Sequence, residues 1–355
     1  MKTLIHTFIA FFLILLTPSC NTNNALHFKD TVMMDNYFIE TVKLDSCRSP
    51  MFIQVVDSLA FICDQNINEF IKIYKINNFE YLGGFVKTGK GPNEYLAPGL
   101  PTIDRKSNMV WFNDFAKTIL FGFSIKDILV HGSEVKPMKQ IQFDLQLMPL
   151  TTFNILSDTS ILASSSVDTS FFTILNKSGK MTRVNIKNPI YKDEFQSHFN
   201  MQHLYNQYYS RSSVYNDSLN ISVCAFSLHD CLVLSNLSKY ETKTLSFSDI
   251  EESTPNIIDK NVVIDYVSYF RLREDRGFVY GSYLGDKLYD ENYNTNYPDR
   301  VHVFDWNLNP IAELIFSTPI VNFSVYKDLI YVITTSENPE VNVYKIPPVL
   351  SKNNV

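Results

Sequence analysis

An all-β chain built from one repeated unit is what this sequence predicts, and three observations carry that reading. Of its 355 residues 45% are hydrophobic and 14% aromatic, with 27 Phe and 20 Tyr, which suits half-buried pleated surfaces and does not suit a disordered chain. Stretches with helical periodicity are scarce, whereas short alternating apolar runs bounded by Asp, Asn or Ser recur throughout. An alternating strand, a polar turn and a second apolar strand also occur together six times.

The first 20 residues are a different material. Lys2 gives a short positive start, residues 4–16 are almost wholly apolar, and Thr17, Pro18, Ser19 and Cys20 follow. The apolar run is short for a membrane-spanning helix and is succeeded by polar residues, so it reads as an export signal. Cys20 lies where a bacterial lipobox places the cysteine that is lipidated and becomes the mature N-terminus, although Leu16 stands four residues before it rather than three. The expected division is a lipoprotein signal over 1–20, a tether over 21–35 and a folded domain over 36–350.

The repeat fills that domain. Residues 52–57 lead into 59–62, 102–104 into 109–112, 153–158 into 161–163, 213–217 into 219–223, 269–275 into 278–280, and 323–328 into 329–333. The turn residues Asp57, Asn108, Asp158, Asp217, Asp275 and Asp328 are spaced by about 50 to 60 residues, near the period of four-stranded propeller blades. Two more strand-like runs fit after the pairs, as at 70–76 and 81–86 in the first copy and 301–305 and 312–316 in the fifth. The sixth copy has a third strand at 341–346, but Pro347 and Pro348 then break the run and too little chain remains for a fourth. Residues 37–44 form a strand belonging to no copy. The sequence therefore predicts a six-bladed β-propeller with four-stranded blades, its ring closed by that N-terminal strand pairing in the last blade and covering an exposed edge. With only 11 Gly, few of its turns can be tight glycine turns.

Several function classes are disfavoured. Net charge is −6 and no basic stripe is present, so nucleic acid is not an expected partner. Cys47, Cys63, Cys224 and Cys231 are best read as small buried hydrophobes, because a turn at 227–230 would set Cys224 opposite Val233 and not opposite Cys231. No CxxC, HExxH or Cys/His cluster appears, so neither a zinc site nor another cofactor is expected.

In a propeller the blade-to-blade links share one face with the second-to-third strand loops. Three long segments fall on that face: 87–101, 189–211 and 281–300. Long loops on a rigid scaffold are the usual place for binding, and the candidate ligand contacts are Lys90, Tyr95, Tyr205, Tyr208, Tyr209, Tyr283 and Arg300. Around Lys90, Gly89, Gly91 and Pro92 lack the spacing of a phosphate loop, and Pro92 removes a backbone donor, so a turn between blades is the better reading. Phe195, Phe199, Leu204 and Tyr205 fall near helical spacing, which favours a short helix packed on the ring over a cofactor box. His198 and His203 are five apart and do not share a helical face, which disfavours a metal pair. The third segment is either a solvated loop or a carbohydrate or peptide contact.

With the blades laid out, the chain resembles the TolB-like six-bladed propeller lipoproteins of gut-type anaerobic bacteria from about residue 36 to residue 347. The carriers are Cys20, the link Gly89-Lys90-Gly91-Pro92-Asn93-Glu94-Tyr95, and the passage Val301-His302-Val303-Phe304-Asp305-Trp306-Asn307-Leu308-Asn309-Pro310. The resemblance implies a cell-envelope lipoprotein held to the outer membrane through lipid on Cys20, periplasmic or surface-facing, working with a partner protein or glycan, and no established reaction. Asp30-Thr31-Val32, Asp57-Ser58-Leu59 and Asp217-Ser218-Leu219 also look like the O-glycosylation sites of such bacteria. The expected function is a non-enzymatic binding or scaffold module. The alternative is a metal-dependent propeller hydrolase or lactonase holding a hard cation in the central channel. Its carboxylates should lie at the starts of the innermost strands, and those starts (50–52, 100–102, 150–152, 210–212, 267–269 and 319–321) contain none. Glu94 and Asp114 are the loop carboxylates that remain as inward-reaching candidates. Gly-x-Ser-x-Gly is absent, which disfavours a serine hydrolase elbow.

Overall fold

The structure, a computed structural model, describes residues 26–65, 69–144, 150–157, 160–165, 170–190, 211–247, 257–258, 261–262 and 266–351. Among the described residues six antiparallel four-stranded blades follow one another along the chain, and in the first five the four blade strands are in sequence order. Blade 1 occupies 50–85, blade 2 102–142, blade 3 150–183, blade 4 211–246 and blade 5 266–315. Blade 6 takes three strands from 320–345 and its outermost from the N-terminal strand Phe38–Lys43. The register there is antiparallel, with Thr41 facing Asn342, Val42 facing Val341 and Lys43 facing Glu340. The closing strand read from the sequence is in place.

Among the described residues an apolar core fills each of the six blade–blade interfaces, with a smaller separate cluster formed by Leu228, Val267 and Leu284. Phe52, Phe61 and Phe85 of blade 1 meet Phe112, Phe121 and Phe123 of blade 2. Trp111 and Leu120 meet Phe153 and Ile161 between blades 2 and 3. Leu162 and Phe172 meet Cys224 and Val233 between blades 3 and 4. Val223 and Leu232 meet Leu272 and Trp306 between blades 4 and 5. Tyr280 and Val303 meet Phe323 and Val332 between blades 5 and 6. Ile53 and Tyr74 meet Tyr331 and Val341 where blade 6 returns to blade 1. Strand alternation makes this possible, since each blade turns one face to the blade before it and the other to the blade after it. Cys224 does stand opposite Val233. All four described cysteines are buried free thiols.

The innermost strands are also stitched across the interfaces by side chains. Ser324 Oγ accepts from Val55 N at 2.9 Å, Ser212 Oγ accepts from Leu272 N at 3.0 Å, and Asn154 Nδ2 donates to Ser213 Oγ at 3.0 Å. These bonds satisfy backbone and side-chain groups that face a neighbouring blade rather than a neighbouring strand. The tight hairpins between first and second strands use non-glycine residues at positive φ: Asp57 at 54°, Asn108 at 51°, Asn220 at 50°, Arg276 at 56° and Lys327 at 54°. Asp and Asn tolerate this region better than other side chains. That is how a glycine-poor chain makes so many reversals.

The N-terminal segment is more tightly bound than a tether over 21–35 implies. Asp30–Met33 forms a parallel fifth strand on the outer edge of blade 5, with Thr31 beside Glu313 and Val32 beside Leu314. Met34 follows at 0% exposure inside the core between blades 5 and 6. Leu26 and Phe28 pack on the core between blades 4 and 5. From residue 26 onward the segment is therefore attached to the ring, because its apolar side chains find burial there.

Candidate ligand-binding channel

The first strands of the blades surround a central channel of about 740 Å³. It runs from the face of the blade links, lined there by Met51, Phe70, Leu100 and Phe115, to the face of the first hairpin turns, lined by Asp104, Arg105, Lys106 and Asp217. The volume lies within the usual range for small-molecule sites.

At the turn face, charges from different blades pair across the channel. Arg105 of blade 2 reaches Asp275 of blade 5 at 3.5 Å and lies over the Tyr326 ring of blade 6 at 5.7 Å. Lys106 of blade 2 pairs with Asp217 of blade 4. Farther in, Arg273 donates to Phe323 O at 3.0 Å, Ile53 O at 3.2 Å and Asn322 Oδ1 at 2.9 Å, with its guanidinium 4.8 Å from the Phe52 ring centre. One side chain thus ties blades 5, 6 and 1 together. Burial, and then the neighbouring Arg271, lowers its pKa to about 9. Arg271 also lines the channel.

The sequence-predicted contacts do not converge on this channel. Lys90 is exposed at the tip of the first link. That link closes on itself, with Glu94 Oε2 accepting from Gly91 N at 2.6 Å and Gly89 N donating to Tyr95 O at 3.1 Å. A Cβ on Gly89 would stand 2.1 Å from the Glu94 carboxylate, so a side chain there would push that carboxylate off Gly91 N. Tyr95 is 6% exposed and lies edge-on to Phe112 and Phe121, each at 5.0 Å, which makes it a core side chain. Tyr205, Tyr208 and Tyr209 lie outside the described residues, as do Cys20, His198 and His203. Tyr283 and Arg300 are brought together on blade 5, the guanidinium 6.0 Å from the ring centre.

Tyr283 belongs to a polar nest between blades 4 and 5. It stacks on the buried His302 ring at 4.2 Å. His302 Nδ1 lies 2.9 Å from the Tyr269 hydroxyl and Nε2 3.4 Å from Glu313. A neutral imidazole with its proton on Nε2 accepts from Tyr269 and donates to Glu313, which satisfies both nitrogens. Burial holds the imidazole below its ordinary 6.5, against the opposing pull of Glu313. As pH falls the unfolded chain takes up this proton first, so stability is lost on going below the unfolded value. Between about pH 7.5 and about pH 5 the melting temperature of the wild type should fall more steeply than that of His302→Gln, as followed by calorimetry. Equal slopes would remove His302 as the cause.

The two carboxylates kept as possible cation ligands are committed elsewhere. Glu94 holds its own turn. Asp114 is 0% exposed and accepts from Leu96 N at 3.0 Å and Ala97 N at 3.2 Å. Among the described residues, no group of three or more His, Cys, Asp or Glu is arranged to hold a metal ion.

The passage ending at Pro310 has a structural explanation. Asp305 Oδ1 accepts from Asn307 N at 2.8 Å and Asn309 N at 2.9 Å, closing the turn between the last two strands of blade 5. Trp306 and Leu308 are thereby buried between blades 4 and 5. Of the suggested glycosylation residues, Thr31 lies within the strand Asp30–Met33, and Ser58 and Ser218 lie in turns of the first hairpins.

Six radially repeated antiparallel blades around a channel define the molecule as a six-bladed β-propeller. The chain belongs to the TolB-like 6-blade propeller-like family, whose model matches residues 27–328. Similar solved structures include a DUF4221-family protein from Bacteroides vulgatus, 15% identical, with a TM-score of 0.57 over 86% of this chain and 96% of that one. Another is a Bacteroides fragilis protein described as exported, 11% identical, with a TM-score of 0.58 over 91% of this chain and 99% of that one. At these identities the likeness concerns the fold. No curated protein matches the chain in sequence. No helix among the described residues is long and apolar enough to cross a membrane.

Proposed function

We propose that the protein is an exported, lipid-anchored binding module that admits part of a partner protein or glycan to its central channel from the face of the blade links. The observation that carries this reading is the channel itself, about 740 Å³ and lined by both polar and apolar side chains. Export is supported by the N-terminal apolar run and by the fold shared with a Bacteroides fragilis protein described as exported. Cys20 supplies the lipid attachment point. The metal-dependent hydrolase is the weaker reading, because Glu94 and Asp114 are occupied by backbone amides.

Two measurements test the proposal. In the native host, Cys20→Ser should abolish incorporation of a labelled fatty acid and move the protein from the membrane to the soluble fraction. Retention of label would overturn the anchoring. For binding, the purified chain from residue 21 should be melted against host glycans and peptides. Any ligand that raises the melting temperature should lose its effect in Gln54→Trp, which fills the channel at a side chain outside the inter-blade bonds. An unchanged shift in that variant would place binding elsewhere.

A further inference from the structure

We infer that the channel holds an organic anion, its carboxylate or phosphate head seated on Arg271 and its body against the apolar rim of Met51, Phe70, Leu100 and Phe115. This rests on the channel being the binding site.

The argument starts from charge. Arg271 and Arg273 are two residues apart on one extended strand, so they point to the same side, and both line the channel. Arg273 is engaged by two carbonyls of other blades and by Asn322, all uncharged. Among the described residues the Arg271 side chain has no hydrogen-bond or ion-pair partner. The ionisable groups that act on these two guanidiniums are Cys63, on both, and Arg271, on Arg273. Burial pushes the Cys63 thiol well above 9, so it is neutral and supplies no counter-charge.

The carboxylates of the channel are elsewhere. Asp217 pairs with Lys106, and Asp104 accepts from Lys106 N at 3.0 Å and from Ser107. Glu274 points to the turn face, where Arg105 and Asp275 are its charged neighbours. Among the described residues, therefore, the middle of the channel holds two adjacent guanidiniums and no carboxylate to pair with them. Like charges this close, partly withdrawn from water, oppose folding. An unpaired planar fork of donors is also well matched to a carboxylate or phosphate. A group that opposes folding yet presents its donors to a ligand-sized space is better explained by what it binds than by what it stabilises.

The probes are D-glucuronate, D-glucose 6-phosphate and uncharged D-glucose, each at tens of millimolar and equal ionic strength, read by thermal melting and calorimetric titration. One or both anionic sugars should raise the melting temperature and glucose should not; which of the two acts distinguishes a carboxylate from a phosphate source. Arg271→Gln should bind the active sugar roughly tenfold or more weakly, and without ligand it should melt at the wild-type temperature or above. Arg273→Gln should melt lower, since it breaks bonds between blades.

A ligand-free Arg271→Gln that melts as low as Arg273→Gln would make Arg271 structural and overturn the inference. So would equal shifts from glucose and the anions, or no shift from either anion. These results leave the channel open to an uncharged ligand. An anion shift that survives Gln54→Trp would instead sink the channel reading together with this one.

Discussion

A chain that begins at Asp45 should not melt cooperatively and should aggregate on expression, whereas one that begins at Met34 should fold. The strand Phe38–Lys43 is mostly exposed and buries little surface of its own. Its importance is positional. It is the outer strand of blade 6, and without it Glu340–Lys345 becomes a bare edge in the blade that must also pack on blades 5 and 1. The same deletion removes Leu44, which is 1% exposed in the core between blades 6 and 1. A propeller with one unfinished blade has both a sticky edge and a weakened seam. The chain from Met34 retains that strand and the fully buried Met34, and loses Leu26, Phe28 and Val32, which are partly buried on the outer cores. At roughly 1 kcal/mol for each half-buried side chain, that deletion costs about 3 kcal/mol. Scanning calorimetry of the two truncations checks the ordering. Equal melting temperatures would show that closure does not depend on the N-terminal strand.

Blade count and hairpin positions were legible because each rests on a local signal repeated six times, and ring closure because the sixth copy lacked a fourth strand while one strand near the N-terminus belonged to no copy. Alternation marks the strands, and Asp or Asn marks the reversals, where Asp57, Asn108 and Asn220 adopt positive φ. The fifth strand on blade 5 carries no such signal. Asp30–Met33 is four residues long, and its partner Pro310–Ile315 is nearly 300 positions away, so nothing local distinguishes it from a tether. The short helix Ile125–His131 inside blade 2 did leave a trace. Ser124 caps it by accepting from Asp127 N at 3.3 Å, a Ser-to-acid spacing easily missed beside the stronger strand pattern.

The site was less legible, for a physical reason. Aromatic residues in loops look alike whether they are exposed or buried, and tertiary packing separates Tyr95, wedged among Phe112, Phe121 and Phe123, from Lys90 at the tip of the same loop. The channel does have a sequence signal in the pair Arg271 and Arg273, alternate residues on an innermost strand. Reading the strand starts for carboxylates passes over it, because the informative charge is positive and lies in the middle of the strand.

Asp64→Ala should destabilise the protein by about 3–5 kcal/mol, the usual cost of leaving a buried charge without its partner. Asp64 ends the second strand of blade 1 at 0% exposure. It accepts from Lys72 Nζ at 2.7 Å, Ser49 N at 2.8 Å and Arg48 N at 3.0 Å, so one carboxylate latches the link entering the blade to the blade itself. Asp114 ends the second strand of blade 2 and does the same for Leu96 and Ala97, so blades 1 and 2 share the latch. Burial alone would raise the Asp64 carboxyl, but the Lys72 ammonium and the two amides outweigh it and hold the group below 3.8. The sign follows: the contribution is complete above the unfolded value and is lost as pH falls through the folded one. Lys72→Met should cost less than Asp64→Ala, since it leaves both amide bonds in place. Denaturant titration of these variants and Asp114→Ala, with and without a chelator, separates a latch from an ion site. A latch makes each loss independent of the chelator. If chelation lowered wild-type stability to that of Asp114→Ala, the carboxylate would be holding a cation, and the hydrolase reading would regain its footing.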